Sequence, residues 1–177
     1  MFNLLIRCGP DSWNSSPIEY VRERVAIEYT EDEISERYKS LEKDKLDELK
    51  GFPTLFATEG ETVPSRIGYI DKVELRGNSV VVYFSFDEKL PELPIGTLKS
   101  LMLDFDLSRT ELYRTHWAIK DEDLFSILIA KGYITDQQFL VSKIQEVSQK
   151  SQKTRFPRRH LTLTIRKFLL YMDTMKY

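Results

Sequence analysis

The sequence predicts an α+β fold: a small, curled, barrel-like antiparallel β-sheet with helices packed on one side, and a basic helical segment at the C-terminal end. Three observations predict it. Residues 66–86, RIGYIDKVELRGNSVVVYFSF, read as a β-hairpin. Several flanking stretches carry apolar residues at helical spacing behind capping residues. Charge is also divided along the chain: residues 150–177 hold eight Lys or Arg and one acid, whereas the rest is net negative.

In chain order, Phe2–Arg7 reads as a strand, and residues 9–20 as a loop, punctuated by Gly9, Pro10, Ser15, Ser16 and Pro17. Val21, Val25 and Ile27 are compatible with a short strand over 21–29. Thr30 and Glu33 have the spacing of a capping box, in which each side chain satisfies the other residue's free N–H. A helix should follow with Ile34, Tyr38 and Leu41 on one face. It continues, or restarts near Asp44, with Leu46 and Leu49 inward, until Gly51 and Pro53 stop it. Leu55–Glu59 is a further strand.

The hairpin rests on a turn and two flanking runs. Ile67, Tyr69, Val73 and Leu75 precede Gly77-Asn78, and Val80, Val82, Phe84 and Phe86 follow at strict period two. Gly takes positive φ freely and Asn more readily than most residues, which suits a tight primed turn. The first run changes phase at Tyr69-Ile70, so a bulge or bend is expected near Gly68.

Beyond the hairpin, Pro91 to Pro94 forms a stiff linker. A short helix is expected from Gly96 to Phe105 (Leu98, Leu101, Met102 and Phe105), then a strand over residues 112–119. Asp121 can cap a helix that buries Leu124, Phe125, Leu128 and Ile129 and ends at Gly132. Thr135 with Gln138 opens another, running to about Gln149 with Leu140, Ile144 and Val147 inward. A polar hinge follows. Ile165, Phe168, Leu169 and Met172 then favour a helix from about Leu163. The organisation expected is a core over 1–149 and a basic appendage over 150–177.

With 41% hydrophobic and 31% charged residues the chain is globular. No apolar run is long enough to span a membrane, and the first residues do not resemble a signal peptide. A cytoplasmic protein is expected. Its single cysteine, Cys8, excludes a disulfide framework and reads as a small buried hydrophobe.

The densest candidate for function is Arg114-Thr-His-Trp117, followed by Lys120-Asp-Glu-Asp123. It reads as a binding patch, with Trp117 stacking and Arg114 and His116 donating. The alternative is a buried Trp anchoring a strand with His116 hydrogen-bonded beside it. The area a Trp can bury favours the second. No catalytic residue is assigned, since no Ser or Cys stands in a nucleophile context. Asp104 and Asp106 lack a third ligand at metal spacing, and Glu31 to Glu33 suit a first helical turn. Asp71 with Asp87 and Lys89 has the spacing of a metal-dependent nuclease, but Asp87 and Lys89 fall at a strand end beside Pro91. There is no phosphate-binding glycine loop and no Cys-x-x-Cys, so neither metal nor cofactor is expected.

The basic segment has three readings. Arg155, Arg158, Arg159, Arg166 and Lys167 could contact phosphates, with Phe156 and His160 stacking on bases. Ile165, Phe168, Leu169 and Met172 could instead dock in a protein groove, or pair two copies of the chain. Or the segment folds back on the acidic body.

The succession AIEYTEDEISERY, LKGFPTLFATEG, RIGYIDKVELRGNSVVVYFSF, LPELP and RTHWAIKDEDLF resembles an accessory module of uncharacterised bacterial proteins. Some of these are fused to, or encoded near, TIR-like effector domains in phage-defence and signalling contexts. The resemblance covers roughly residues 2–134, and Arg114 to Trp117 with Asp121 to Phe125 is its most distinctive part. It implies a non-catalytic adaptor or sensor with a protein partner. The chain departs from it by ending in the basic segment rather than an effector domain. Nucleic-acid binding through that segment is the alternative, and a metal-dependent nuclease the second.

Overall fold

A computed structural model describes residues 1–153. The expectations for Arg155, Arg158, Arg159, Arg166, Lys167 and Phe168, and for the last helix, lie outside the described residues. The chain divides into two units, Met1–Ile134 and Thr135–Tyr177. Among the described residues, no helix is long and apolar enough to cross a membrane.

The first unit is α+β. Its strands are β1 (Phe2–Arg7), β2 (Ile18–Val21), β3 (Thr54–Thr58), β4 (Arg66–Arg76), β5 (Ser79–Phe86) and β6 (His116–Lys120). They form one six-stranded sheet in the order β2-β5-β4-β3-β1-β6. The hairpin β4–β5 is the one expected, closed at Gly77-Asn78 with Arg76 opposite Ser79. Its irregularity falls slightly beyond Gly68: Asp71 is the extra residue between the pairs Ile70–Phe84 and Lys72–Tyr83. Gly68 has its own role, because a Cβ there would lie 2.1 Å from the Ser85 carbonyl oxygen.

The sheet differs from expectation in two ways. It is mixed, because β1 runs parallel to β3. It is also open, with β2 and β6 as edges, so it is not a barrel. It does curl: Tyr20 on β2 reaches the Ile6 carbonyl of β1, and Arg7 reaches the Glu19 carbonyl at 2.7 Å. Burial pushes the Tyr20 hydroxyl far above its ordinary range, against the opposing pull of Arg7. Strand β2 lies where a loop was expected, and there Ile18 and Tyr20 point inward while Glu19 and Val21 stay exposed.

Helices α1 (Asp32–Tyr38) and α2 (Lys43–Gly51) cover one face of the sheet. Ile34, Tyr38, Leu41 and Leu49 pack there against Leu5, Phe56, Val80, Val82 and Trp117. Strand alternation sends Phe2, Leu4 and Ile6 to the opposite face, and they are fully buried as well. Phe2 meets Phe105 edge-on at 5.5 Å. Cover therefore lies on both faces, not one, and strands β1, β3 and β6 are buried nearly throughout.

The segment covering the second face is less helical than its spacing suggests. Helix α3 is only Thr97–Ser100, and turns continue to Phe105. Leu98, Leu101 and Phe105 are buried as expected. Glu61 anchors the start of α3, its carboxylate accepting from the N–H groups of Leu98 (2.8 Å) and Lys99 (3.0 Å).

Two capping expectations are overturned. Helix α1 has Glu31 at its N-cap and no side-chain cap, since the Thr30 hydroxyl accepts instead from the Ile119 N–H. Helix α4 (Leu124–Ala130) is capped by Asp123, not Asp121, through the N–H groups of Phe125 and Ser126. In the second unit, Thr135 and Gln138 do bond reciprocally at the start of α5 (Asp136–Lys153). Ile144, expected inward on that helix, is half exposed. Cys8 is exposed rather than buried, because β1 ends one residue before it.

Candidate functional site: a buried ion cluster beneath an open cleft

Strand β6 sorts its side chains by parity. Trp117 and Ile119 face α1 and α2, while His116 and Lys120 face the other way. Trp117 is 0% exposed, and its Nε1–H donates to Asn3 Oδ1 at 3.0 Å. Asn3 in turn donates to the Leu49 carbonyl and to Thr54 Oγ1. One indole and one amide thus join β6, β1, β3 and α2. The faces of Trp117 are covered, so it anchors the strand and does not present a stacking surface.

On the opposite side, His116 and Lys120 converge on Glu111, which precedes β6 in a single helical turn, Glu111–Tyr113. All three are buried. Glu111 Oε1 lies 3.2 Å from His116 Nε2, and Glu111 Oε2 lies 3.0 Å from Lys120 Nζ. Lys120 also donates to the carbonyls of Tyr29 (2.8 Å) and Asp106 (2.7 Å). Its three donors therefore have three oxygen partners. His116 Nδ1 lies 2.7 Å from the Arg114 carbonyl, and the Tyr29 ring packs against the imidazole at 4.9 Å.

Above this cluster opens a cleft of about 330 Å³, lined in part by Tyr29, Glu31, Asp106, Ser108, Glu111 and Lys120. Two of its walls hold left-handed backbone at residues other than glycine: Tyr29 at φ 56° and Asp106 at φ 50°. Such geometry costs roughly 1–2 kcal/mol per residue, and here both carbonyls are held by one ammonium.

Arg114, expected as a donor to a ligand, is engaged by Glu28 through two bonds, 2.8 Å from Nε and 2.6 Å from Nη2. The Arg114 hydrogen bonds hold the Glu28 carboxyl below its ordinary range, against a smaller rise from burial. The nuclease-like acids accept hydrogen bonds from their own hairpin and its exit. Asp71 accepts from Ser85, and Asp87 from the Lys89 N–H. Asp104 pairs with Lys131 at 2.8 Å. Among the described residues, no three His, Cys, Asp or Glu side chains form a metal site.

Sequence reasoning singled out His116 but missed Glu111. The signal was present: His116 and Lys120 share strand parity in an otherwise apolar run, and such buried cations need an acid.

The surface of the first unit carries a second feature. Leu103 is 96% exposed, and Ile95 (60%) and Tyr113 (63%) lie in the same connection between β5 and β6. Comparisons with protein-family models, curated proteins and solved structures found no match to this chain.

Proposed function

We propose that the chain is a non-catalytic adaptor or sensor that binds a protein partner. The observation that carries this reading is the near-complete exposure of Leu103, accompanied by Ile95 and Tyr113. Singly exposed apolar residues are ordinary, but a leucine as exposed as Leu103 offers a contact point for a partner. The commitment of Lys120, His116 and Arg114 to partners within the chain supports the reading, since groups so held brace the fold. The resemblance over residues 2–134 supports a bacterial defence or signalling setting.

The test is capture by the full chain and by its L103E variant, each with and without nuclease. The reading expects a protein recovered by the parent, indifferent to nuclease and lost with L103E. L103E should leave the unfolding midpoint unchanged, because Leu103 is packed against almost nothing. Equal capture by both proteins would overturn this surface. Recovery of nucleic acid, or loss of every partner on nuclease treatment, would favour binding through the basic segment.

A further inference from the structure

Hydrogen-bond donors and acceptors around His116 do not balance unless an extra proton is present. The Arg114 carbonyl can only accept, so His116 Nδ1, 2.7 Å from its oxygen, carries a hydrogen. In a neutral imidazole, Nε2 would then present a lone pair. Facing it at 3.2 Å is Glu111 Oε1, another acceptor. Two lone pairs at that separation in a dry interior repel. A proton between Nε2 and Oε1, bound to either atom, removes the conflict.

We propose that this shared proton makes the Glu111–His116–Lys120 cluster a pH-sensitive clasp on the cleft. Three pieces of chain meet there. The segment before α1 supplies the Tyr29 carbonyl and ring, the turns after α3 supply the Asp106 carbonyl, and β6 supplies His116 and Lys120. With the proton in place, Glu111 bridges His116 and Lys120, and the left-handed residues Tyr29 and Asp106 stay fixed as cleft walls. When the proton leaves, the imidazole must turn away from Glu111 or from the Arg114 carbonyl. The Tyr29 ring, tilted against it with centroids 4.9 Å apart, moves with it. Glu111 and Lys120 line the cleft, which gives the proton a short route to solvent.

The charged neighbours include Glu31 and Asp106, which line the same cleft. Lys120 faces the far oxygen of Glu111. The Arg114–Glu28 pair lies beside His116, with the Arg24 guanidinium 3.3 Å from the Thr115 carbonyl and the Glu59 carboxylate on the Thr115 hydroxyl. On the neighbouring strand β1, the residue opposite His116 is the apolar Ile6. The inference does not depend on any partner, so it can fail while the adaptor reading stands, and the reverse.

The test is NMR of the full chain from about pH 5 to about pH 9, the range in which histidine titration is ordinarily read. At the acidic end a slowly exchanging, strongly downfield proton should correlate with His116 Nε2, directly or across the hydrogen bond. Raising the pH should abolish it, and the Tyr29 and Asp106 amide resonances should shift along the same curve. In E111Q the carboxamide nitrogen can donate to Nε2 while its oxygen accepts from Lys120, so no extra proton is needed. That variant should hold the Tyr29 and Asp106 resonances constant across the range. The proposal is overturned if the parent shows no such proton, if the two amides stay fixed while His116 titrates, or if E111Q titrates as the parent does. Should E111Q not fold, the parent titration alone decides.

Discussion

The Asp106 carbonyl accepts from the Lys120 ammonium at 2.7 Å, and Asp106 makes that bond from left-handed backbone, φ 50°. An unfavourable conformation is thus tied to a buried cation. Lys120→Met keeps the length of the side chain but takes the ammonium away from Glu111 and from the carbonyls of Tyr29 and Asp106. Breaking a buried pair in this way costs about 3–5 kcal/mol, and urea unfolding followed by fluorescence should read a loss of that size.

The same relationship makes Asp106 itself sensitive to backbone rather than side chain. Its side chain is exposed. Glycine adopts positive φ without strain, whereas a β-branched residue does not. Asp106→Gly should stay within about 1 kcal/mol of the parent, and Asp106→Val should lose about 1–3 kcal/mol. Equal losses in both variants would show that the carboxylate, not the φ angle, matters there.

Trp117 and Asn3 make a comparable tie on the other face of the sheet. Trp117→Phe removes ring volume from a site with no exposure and leaves Asn3 Oδ1 without its donor. A cavity and an orphaned buried acceptor together should cost about 2–4 kcal/mol. Since Asn3 also holds Leu49 and Thr54, hydrogen exchange should speed up at the end of α2 as well as in β6.

Two hairpin glycines separate crowding from strain. At Gly68 an added Cβ would meet the Ser85 carbonyl at 2.1 Å, and backbone cannot swing aside as a side chain can. Gly68→Ala should cost about 3 kcal/mol or more. At Gly77 nothing lies within 4 Å, but φ is +59°. Gly77→Ala should cost only about 1–2 kcal/mol. Thermal unfolding of the two variants side by side checks the ranking.

What could be read from the sequence follows from how local each signal is. The β4–β5 hairpin was legible because Gly77-Asn78 and the alternating Val80, Val82, Phe84 and Phe86 carry turn and strands within one window. The parallel pairing of β1 with β3 joins residues some fifty positions apart, and nothing in either strand records its neighbour. Thr30 illustrates a different failure. Its spacing to Glu33 was right for a capping box, but the Ile119 N–H, a buried donor on the edge strand β6, took the hydroxyl instead. Satisfying a buried amide outweighed capping the end of a short helix. At the site, His116 stood out as one of two histidines, while Glu111 looked like any charged surface residue until the fold brought it beneath β6.

Acid should weaken the fold through Glu28. The Arg114 hydrogen bonds lower its carboxyl in the folded state. A lowered carboxyl stabilises the fold at pH values above the unfolded carboxylate range, near about 4.3. That contribution is lost as the pH falls through the lowered folded value. Arg114→Gln should therefore reduce stability at neutral pH, and the gap between variant and parent should close as the solution is acidified below that range. The Arg114 side chain is 42% exposed and the Glu28 side chain 27%, so solvent and ions screen the pair. Salt at about 1 M should narrow the neutral-pH gap, since screening then acts within about 3 Å. A gap that persisted unchanged into acid would mean that Arg114 stabilises the fold by packing its stem rather than by holding the Glu28 charge.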